Sequence, residues 1–274
     1  GLVANMPVLE YFVDSLKNVT VLQPDGRIAR ISQGRATIVS GTPVPDLRAA
    51  WFSYDGARLI GETGDRLIPA YRLFSLSAGR WGDLPKDIRA PAWAPHESSI
   101  VYFKTSNGRS VIETLYVATS TPNPQEVTPF AEQGLLLSWL LPNRIHIFPK
   151  ASGLVADSLW RLNLSSKLFY PVLTDRRGLS VVWSNDAKFG LALQGAARGK
   201  GGELVLVDED GSQLRTLSRL TLPSKCAFGS RAEGSTESSA PMLYCAIPRD
   251  ERAFSTQTLP DAYEKRAVFT SDDF

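Results

Sequence analysis

Tryptophan recurs along this chain at nearly constant intervals, and this periodicity limits the possible folds more than any other feature. Four tryptophans open similar segments at intervals of 42, 46 and 44 residues: Trp51, Trp93, Trp139 and Trp183. The next equivalent position, 43 residues further on, is Cys226. Each of these anchor residues precedes a polar turn cluster and a short apolar run, as in a β-hairpin. A repeat of this length indicates one supersecondary unit that stacks against its neighbours.

A second set of residues, about 21 positions after each tryptophan, supports the same repeat. There a leucine precedes a large residue and then a turn, at Leu73-Phe74, Leu115-Tyr116, Leu159-Trp160 and Leu204-Val205. Four short strands in each repeat of about 40–45 residues are the signature of a propeller blade. Helical periodicity is nearly absent. We therefore predict an all-β fold, a β-propeller of four-stranded antiparallel blades.

The repeat divides the chain into the blades of a single β-propeller domain, residues 1–274. We predict five complete blades and a partial sixth, at about 7–41, 48–88, 90–131, 134–176, 179–220 and 222–274. The sixth ends in RAVFTSDDF, before a fourth strand. Because an open propeller would expose a sheet edge, which folded proteins normally avoid, we expect the parent chain to continue to six or seven blades.

The tryptophans are predicted to have a structural role. Each anchor tryptophan lies within an apolar strand, so we expect the four rings to fill the space between neighbouring blades. Stacking against a ligand would instead place them in loops. Trp81, in GRWGDLP near a strand end, is the one expected to keep an exposed face.

The anchor segments resemble the Trp-Ser-Pro-Asp-Gly repeat of TolB-like propellers, a bacterial class similar to WD repeats. The motif is present in worn form as WFSYDG (51–56), WAPHES (93–98), WLLPNR (139–144) and WSNDAK (183–188). The resemblance covers about residues 45–225 and implies the fold. Propellers of this class occur in exported bacterial proteins and as caps on prolyl-oligopeptidase-type enzymes, and they mostly bind partners or gate access. A shared fold does not fix which of these functions the chain has.

Residues suited to catalysis or metal binding are few. His96 is expected in an exposed turn and His146 in the core or between blades. A zinc site needs three or four converging ligands, and a Ser-His-Asp triad needs an oriented histidine. No Gly-x-Ser-x-Gly nucleophile motif occurs in the sequence. We predict no catalytic residue, no metal and no cofactor.

Two polar segments have simple structural interpretations. Asp208-Glu209-Asp210-Gly211 is predicted to be a hairpin turn, with a calcium loop as the alternative. The glycine-rich segment GAARGKGG (195–202) is predicted to be a hairpin loop. A phosphate-binding loop would need a serine or threonine after its lysine and a helix after the loop.

The charge balance argues against nucleic-acid binding, because 30 Lys+Arg against 28 Asp+Glu leave a net charge of only +2. In a propeller, the loops between second and third strands share one face with the links between blades. That face carries eleven cations and ten acids, so it would not steer polyanions strongly. The candidate positions for a protein partner, with solvated surface charge as the alternative, are Arg66, Arg109, Lys150, Arg176, Arg177, Arg198, Lys200 and Trp81.

The two cysteines, Cys226 and Cys245, are predicted on the first two strands of the sixth blade. A disulfide across that hairpin is geometrically possible, and two buried free thiols are the alternative. The resemblance to exported proteins favours the disulfide, which would imply an oxidising compartment. We expect an exported protein that is periplasmic, on the cell surface, or anchored before residue 1, with the cytoplasm as the alternative. No apolar run approaches the roughly 18 residues of a membrane span.

The function predicted from these features is a non-catalytic, monomeric propeller that binds a protein or cell-envelope partner. One alternative is a propeller that gates substrate entry for a peptidase-type enzyme whose catalytic domain is not in this chain. A second is a carbohydrate-binding propeller, which would use Trp81 or Tyr71 in a cleft with carboxylates.

Overall fold

Antiparallel β-sheet accounts for nearly all of the regular structure. The computed structural model describes residues 5–65, 68–106, 109–118, 123–130, 134–197, 199–229 and 242–273. Five sheets have four strands each, and their strands are neighbours in chain order. The prediction of an all-β chain built from four-stranded antiparallel units is confirmed.

The strand bounds follow the repeat. The first sheet contains β1 (Glu10–Val13), β2 (Val19–Leu22), β3 (Ile28–Ser32) and β4 (Arg35–Ser40). The second contains β5 (Ala49–Phe52), β6 (Arg58–Gly64), β7 (Pro69–Ser75) and β8 (Arg80–Asp83). The third contains β9 (Ile88–Trp93), β10 (Ser99–Ser106), β11 (Arg109–Tyr116) and β12 (Gln125–Pro129). The fourth contains β13 (Leu135–Leu141), β14 (Arg144–Pro149), β15 (Ala156–Asn163) and β16 (Phe169–Arg177). The fifth contains β17 (Ser180–Trp183), β18 (Phe189–Gly195), β19 (Gly202–Asp208) and β20 (Gln213–Thr216).

The worn repeat motif forms the first turn of the second sheet. The Ser53 hydroxyl donates to the Asp55 carboxylate at 2.6 Å and accepts from the Arg58 amide at 2.9 Å. Gly56 follows with a φ of +66°, a conformation that glycine adopts without a steric cost. The turn therefore requires serine and aspartate for its hydrogen bonds, and it favours glycine at the position with positive φ.

The fifth sheet has the same turn with its serine and aspartate, but with alanine in place of the glycine. Ser184 donates to Asp186 at 2.7 Å and accepts from the Phe189 amide at 3.1 Å. Ala187 stands where the second sheet has Gly56, and it holds a φ of +53°. The turn thus survives loss of the glycine because the serine and aspartate hydrogen bonds remain.

The chain divides into two compact units, Gly1–Gln133 with Leu137–Pro142, and Gly134–Leu136 with Asn143–Phe274. Among the described residues, the first unit has two hydrophobic clusters, one centred on Leu22, Ile28, Ala50, Leu59 and Phe74, the other on Ile60, Tyr71, Ile88, Ile100, Tyr102 and Leu115. The second unit also has two, one centred on Leu159, Leu173, Ala192 and Val205, the other on Leu191, Leu193, Leu204, Leu222, Phe254 and Leu259. Each cluster joins residues from successive sheets or from a sheet and the segment that follows it, as propeller blades require.

The anchor tryptophans are packed to different degrees. Trp139 is 8% exposed, and Trp93 and Trp183 pack against the hydrophobic clusters. The Trp93 indole also donates to the Trp51 carbonyl at 2.8 Å. Trp51 itself is 41% exposed, so the prediction of a buried ring is wrong for this one anchor.

The chain after the fifth sheet forms only part of a blade. A short 3-10 helix (Pro223–Lys225) leads into β21 (Cys226–Phe228), which pairs with β22 (Leu243–Cys245). β23 (Ile247–Pro248) pairs with β24 (Asp272–Asp273), and between them lie α1 (Glu251–Ser255) and α2 (Asp261–Glu264). Residues 230–241, most of the predicted polar loop, lie outside the described residues.

The two short helices are the main departure from the sequence prediction. Asp250 caps α1 by accepting the Ala253 amide at 2.8 Å, a standard signal for a helix start. Phe254 and Leu259 are 1% and 0% exposed, and both belong to the cluster beside the fifth sheet. A single turn of helix gives too few residues for a helical period to be recognised. Among the described residues, no helix is long and apolar enough to cross a membrane.

Cys226 and Cys245 face each other across β21 and β22, and their sulfurs are joined at 2.08 Å. The disulfide closes a loop of 19 residues and restricts the unfolded chain. We expect reduction of the purified protein to lower its unfolding free energy by about 3 kcal/mol, the loop-entropy value for this length. Thermal melts with and without reductant measure this, and the Cys226→Ala/Cys245→Ala variant should melt like the reduced protein. Identical melts of all three samples would contradict the expectation.

His146 is the buried member of the two histidines. It is 1% exposed, and its ring meets Trp183 edge-on with centroids 4.8 Å apart. Burial, together with the nearby charges of Arg144 and Arg161, lowers its pKa from 6.5 to about 3. His146 therefore belongs to the interior between the fourth and fifth sheets, as predicted, and His96 is exposed.

The buried neutral imidazole should make stability depend on acid pH. Because the unfolded histidine binds a proton below pH 6.5 and the folded one does not until about pH 3, acidification favours unfolding across this window. We expect the unfolding free energy to fall by up to about 1.4 kcal/mol per pH unit in the window, and this contribution to be constant above it. Urea unfolding at several pH values measures the slope. The His146→Phe variant should show a shallower slope, and an equal slope in both proteins would refute the assignment.

Candidate functional site

Four of the predicted partner-binding residues come together in the second unit. Lys150 begins the loop between β14 and β15, and Arg176 and Arg177 end β16. Lys200 lies in the loop between β18 and β19, which is the hairpin loop predicted from GAARGKGG. We call residues 150–155, 176–178 and 199–201 the loop surface. The sequence prediction that these loops share one face holds for this group.

Hydrogen bonds fix the tip of the 150–155 loop. The Gly178 amide donates to the Ser152 carbonyl at 2.7 Å, and the Leu154 amide donates to the Ser152 hydroxyl at 3.2 Å. The Arg177 guanidinium donates to the Leu154 carbonyl at 2.6 Å. The loop is thus held by one hydrogen bond within itself and by two from Arg177 and Gly178.

The segment with the two helices supports this loop from behind. The Asp261 carboxylate accepts the Gly153 amide at 2.6 Å and the Ser152 hydroxyl at 3.2 Å. Gly153 fits because it has no side chain: a Cβ there would lie 2.5 Å from the Leu259 carbonyl oxygen. Lys150 forms an ion pair with Glu264 at 3.2 Å. Residues 259–264 therefore act as a buttress for the loop.

The same segment supports the neighbouring loop. The Gly201 amide donates to the Gln257 carbonyl at 2.7 Å. Gly201 has a φ of +68°, and a Cβ there would lie 2.4 Å from the Ser255 carbonyl oxygen. Both loops are held by backbone contacts that require glycine, so their relative positions are well defined.

Two aliphatic side chains project from this supported surface. Leu154 is 62% exposed and Val155 is 55% exposed, although both are apolar. Arg177 lies beside them through its bond to the Leu154 carbonyl, and Lys200 follows Gly199, whose backbone packs near the Leu154 side chain. Exposed apolar groups bordered by arginine and lysine, on a preorganised backbone, are suited to binding a protein.

The remaining predicted positions have other surroundings. Arg66 and Arg198 lie outside the described residues. Arg109 forms an exposed ion pair with Glu126 at 2.9 Å, and Arg176 donates to the Gln194 side chain. Exposed ion pairs of this kind contribute little to stability, so Arg109 is available to exchange partners.

Trp81, predicted to keep an exposed face, is partly buried and packs against the hydrophobic cluster of the first two sheets. Its ring packs against Phe74 at a centroid distance of 5.2 Å, and its indole nitrogen is buried. The ring also covers Gly61, where a Cβ would lie 2.9 Å from it. Gly61 lies on β6, and its missing side chain leaves room for the Trp81 ring to reach across β7. Tyr71 is only 7% exposed, which leaves little of its ring for stacking against a carbohydrate.

The acidic turn Asp208–Gly211 joins β19 to β20, as predicted, and contacts the fourth sheet. Glu209 pairs with Arg144 and Asp210 pairs with Arg161, each at 2.9 Å. The Asp208 carboxylate instead accepts the Ser212 amide at 2.8 Å within the turn. The Glu209 and Asp210 carboxylates therefore hold the turn against the fourth sheet. Within the described part of the chain, no group of three or more His, Cys, Asp or Glu residues is placed to hold a metal ion.

Sequence reasoning identified the cations of the loop surface but missed Leu154, Val155 and the buttress. The segment SGLVADS gave a signal, since two adjacent apolar residues lie between polar ones inside a predicted loop. Asp261 gave none, because its contact with Gly153 spans 108 residues.

Comparisons of the sequence with protein-family models and with curated proteins find no match. Comparison of the fold with solved structures finds clear similarity at low identity. TolB from Acinetobacter baumannii has a TM-score of 0.53 and 14% identity, over 87% of this chain and 60% of that one. The chain has the fold of the TolB-like β-propellers. This agrees with the resemblance carried by the worn repeat.

Enzymes that contain a propeller are equally similar in fold. A prolyl endopeptidase matches with a TM-score of 0.56 and 11% identity, over 91% of this chain and 40% of that one. Oligogalacturonate lyase from Vibrio parahaemolyticus matches with a TM-score of 0.52 and 9% identity, over 77% of this chain and 65% of that one. The chain thus spans about three fifths of the TolB structure and two fifths of the endopeptidase. At these identities the likeness establishes the fold alone.

Proposed function

We propose that this chain is a non-catalytic propeller that binds a protein partner through the loop surface of its second unit. The observation that carries the proposal is the exposure of Leu154 and Val155 on a loop that is fixed by hydrogen bonds to Ser152, Arg177 and Asp261. A rigid loop loses little conformational entropy on binding, so its apolar side chains can contribute their burial to affinity.

The chemistry of the surface indicates the kind of partner. Leu154 and Val155 would fill an apolar depression, and Arg177 and Lys200 at its margin would meet acidic or carbonyl groups. Arginine is enriched in protein interfaces, and central apolar residues carry most of the binding energy. The partner is therefore expected to present an apolar recess with an acidic margin.

The test is a crosslinking pull-down from the cells of origin, comparing the wild-type chain with a Leu154→Ser/Val155→Ser variant. Truncating central apolar residues should reduce recovery of a specific partner at least about tenfold, since such residues contribute 1–2 kcal/mol or more each. Leu168→Ser is the matched control. Leu168 is 55% exposed but lies in the turn between β15 and β16, at the end of these strands away from the loop surface. Equal recovery with all three proteins would refute the loop surface as the binding site.

Export is part of the same proposal. TolB-like propellers occur among exported proteins, and the Cys226–Cys245 disulfide is of a kind that persists in oxidising compartments. Trapping free thiols in intact cells with a maleimide reagent tests it. Both cysteines should be protected from the reagent until reductant is added, whereas immediate labelling would place the chain in a reducing compartment.

The peptidase-gating alternative predicts a different result. A gating propeller would act within a chain that also carries a hydrolase domain, so the full-length protein would react with a serine-hydrolase probe such as a fluorophosphonate. Labelling of the full-length protein would favour gating over the binding function, and the absence of labelling would favour the binding function.

A further inference from the structure

The second unit contains a cavity of about 680 Å³ that is separate from the loop surface's exposed tip. It lies between the start of β17, the residues around the 3-10 helix, and the segment from α2 to β24. Its apolar wall includes Leu222, Val268 and Phe269, and its polar groups include Ser180, Ser224 and Arg266. This volume is within the range of pockets that hold small organic ligands, and the mixture of an apolar wall with a few polar groups is typical of them.

The unpaired charge at this cavity is positive. Two acids line it, but the Asp272 carboxylate is held by Lys225 at 2.7 and 2.9 Å, and Glu264 is paired with Lys150 at 3.2 Å. Burial acts to raise the pKa of Asp272, but hydrogen bonds from Lys225 and Thr270 hold it below its ordinary value, so Asp272 remains an anion matched to its lysine. Arg266 also lines the cavity, and among the described residues it has no ion pair.

A second observation concerns a hydroxyl group at the cavity wall. The Ser180 Oγ is inaccessible to solvent and has no hydrogen-bond partner in the described structure. A buried hydroxyl without a partner is costly, and the usual remedy is a water or a ligand atom. Ser180 lines the cavity, but its Oγ is closed off from it, so this hydroxyl is not one of the groups that would contact a ligand.

We propose that this cavity binds a small organic anion, whose apolar body packs on Leu222, Val268 and Phe269 and whose acidic group pairs with Arg266. Lys225 does not compete for the anion, because it is 8% exposed and already bonded to Asp272 and Thr270. The Lys225 ammonium also lies 4.8 Å from the centre of the Tyr263 ring, which fixes α2 at the cavity wall. The other charged groups that line the cavity, Glu264 and Asp272, are thus paired with lysines, and Arg266 is the group that would recognise the ligand.

The test uses a pair of fluorescent probes that differ in one acidic group. 8-Anilinonaphthalene-1-sulfonate carries a sulfonate, and N-phenyl-1-naphthylamine has the same apolar body without it. We expect the sulfonate to bind with a stoichiometry of one. Arg266→Ala should weaken its binding by about tenfold, as expected for one charge-assisted hydrogen bond, and should leave the neutral probe unchanged. Filling the cavity with Ser180→Phe should weaken both probes.

Two controls separate this site from general surface binding. Arg252→Ala removes an exposed cation from α1 that does not line the cavity, so it should leave both affinities unchanged. Because unfolding of Ser180→Phe would also abolish binding, its circular dichroism must match that of the wild type, and Ser224→Phe provides a second filling variant. Weak, unsaturable binding of the sulfonate to the wild-type protein would overturn the proposal, as would equal affinity in the wild type and in both Arg266→Ala and a folded filling variant.

Discussion

Replacing Gly211 with alanine should destabilise the protein by about 4 kcal/mol, among the largest effects expected for a single methyl group. Gly211 closes the Asp208–Gly211 turn with a φ of +87°, which is unfavourable for any residue with a Cβ. In addition, the new Cβ would lie 1.8 Å from the Val172 carbonyl oxygen on β16, so one of the two backbones must move. Moving the turn would also strain the ion pairs that Glu209 and Asp210 form with the fourth sheet.

Gly34→Ala is the matched control for this prediction. Gly34 also has a left-handed backbone, with a φ of +75°, but a Cβ there would meet no atom within 4 Å. It should therefore cost only the conformational term, about 1–2 kcal/mol. Urea unfolding of the two variants measures the difference. Equal losses would mean that the close approach to Val172 is relieved without cost, contrary to the expectation.

Replacing Trp183 with alanine should cost about 3–5 kcal/mol, because it opens a cavity between the fourth and fifth sheets. The ring covers Gly190, where a Cβ would lie 2.9 Å from it, and meets His146 edge-on. The cavity would admit water to the imidazole, so the variant should also raise the pKa of His146 towards its ordinary value.

Two measurements test this prediction. Urea unfolding gives the free energy, and a proton NMR titration of the imidazole gives the pKa of His146. Trp183→Phe keeps most of the ring volume and should lose about 1 kcal/mol, with a smaller pKa change. Trp51→Ala removes an anchor ring that is already 41% exposed and should cost less than Trp183→Ala. A loss below about 1 kcal/mol for Trp183→Ala would show that the repeat register is misassigned.

The local part of the fold was predictable because it rests on short-range chemistry. A serine, an aspartate and a residue with positive φ, within a few positions, make the turn that opens the second sheet, and the strands on either side are short apolar runs. The turn at Ser184 keeps the same hydrogen bonds with Ala187 in place of glycine. Such turns recur at a regular interval, so the number and order of the strands could be read from the sequence.

The residues of the candidate site were only partly predictable from the sequence. Which of their side chains are exposed was harder to predict. Lys150, Arg177 and Lys200 were found because charged residues between apolar runs mark loops. The exposure of Leu154 could not be predicted, because an apolar residue in a loop is buried as often as it is exposed, depending on whether a distant segment covers it. Trp81, near a strand end, is partly buried because Gly61 on β6 leaves room for its ring, and this fit could not be predicted from the sequence around Trp81.

The sequence by itself determined the repeat, the four-stranded units, the turn chemistry and the type of residue at each loop. These follow from hydrogen bonds and alternation over a few neighbouring positions. Only the tertiary structure decided that Asp261 supports Gly153, that Leu259 lies against two glycines, and that the segment after the fifth sheet forms one side of an open cavity beside Arg266. Some of those contacts join residues about a hundred positions apart, and others depend on a backbone lying close to a glycine. Neither kind of contact produces a repeating pattern in the sequence.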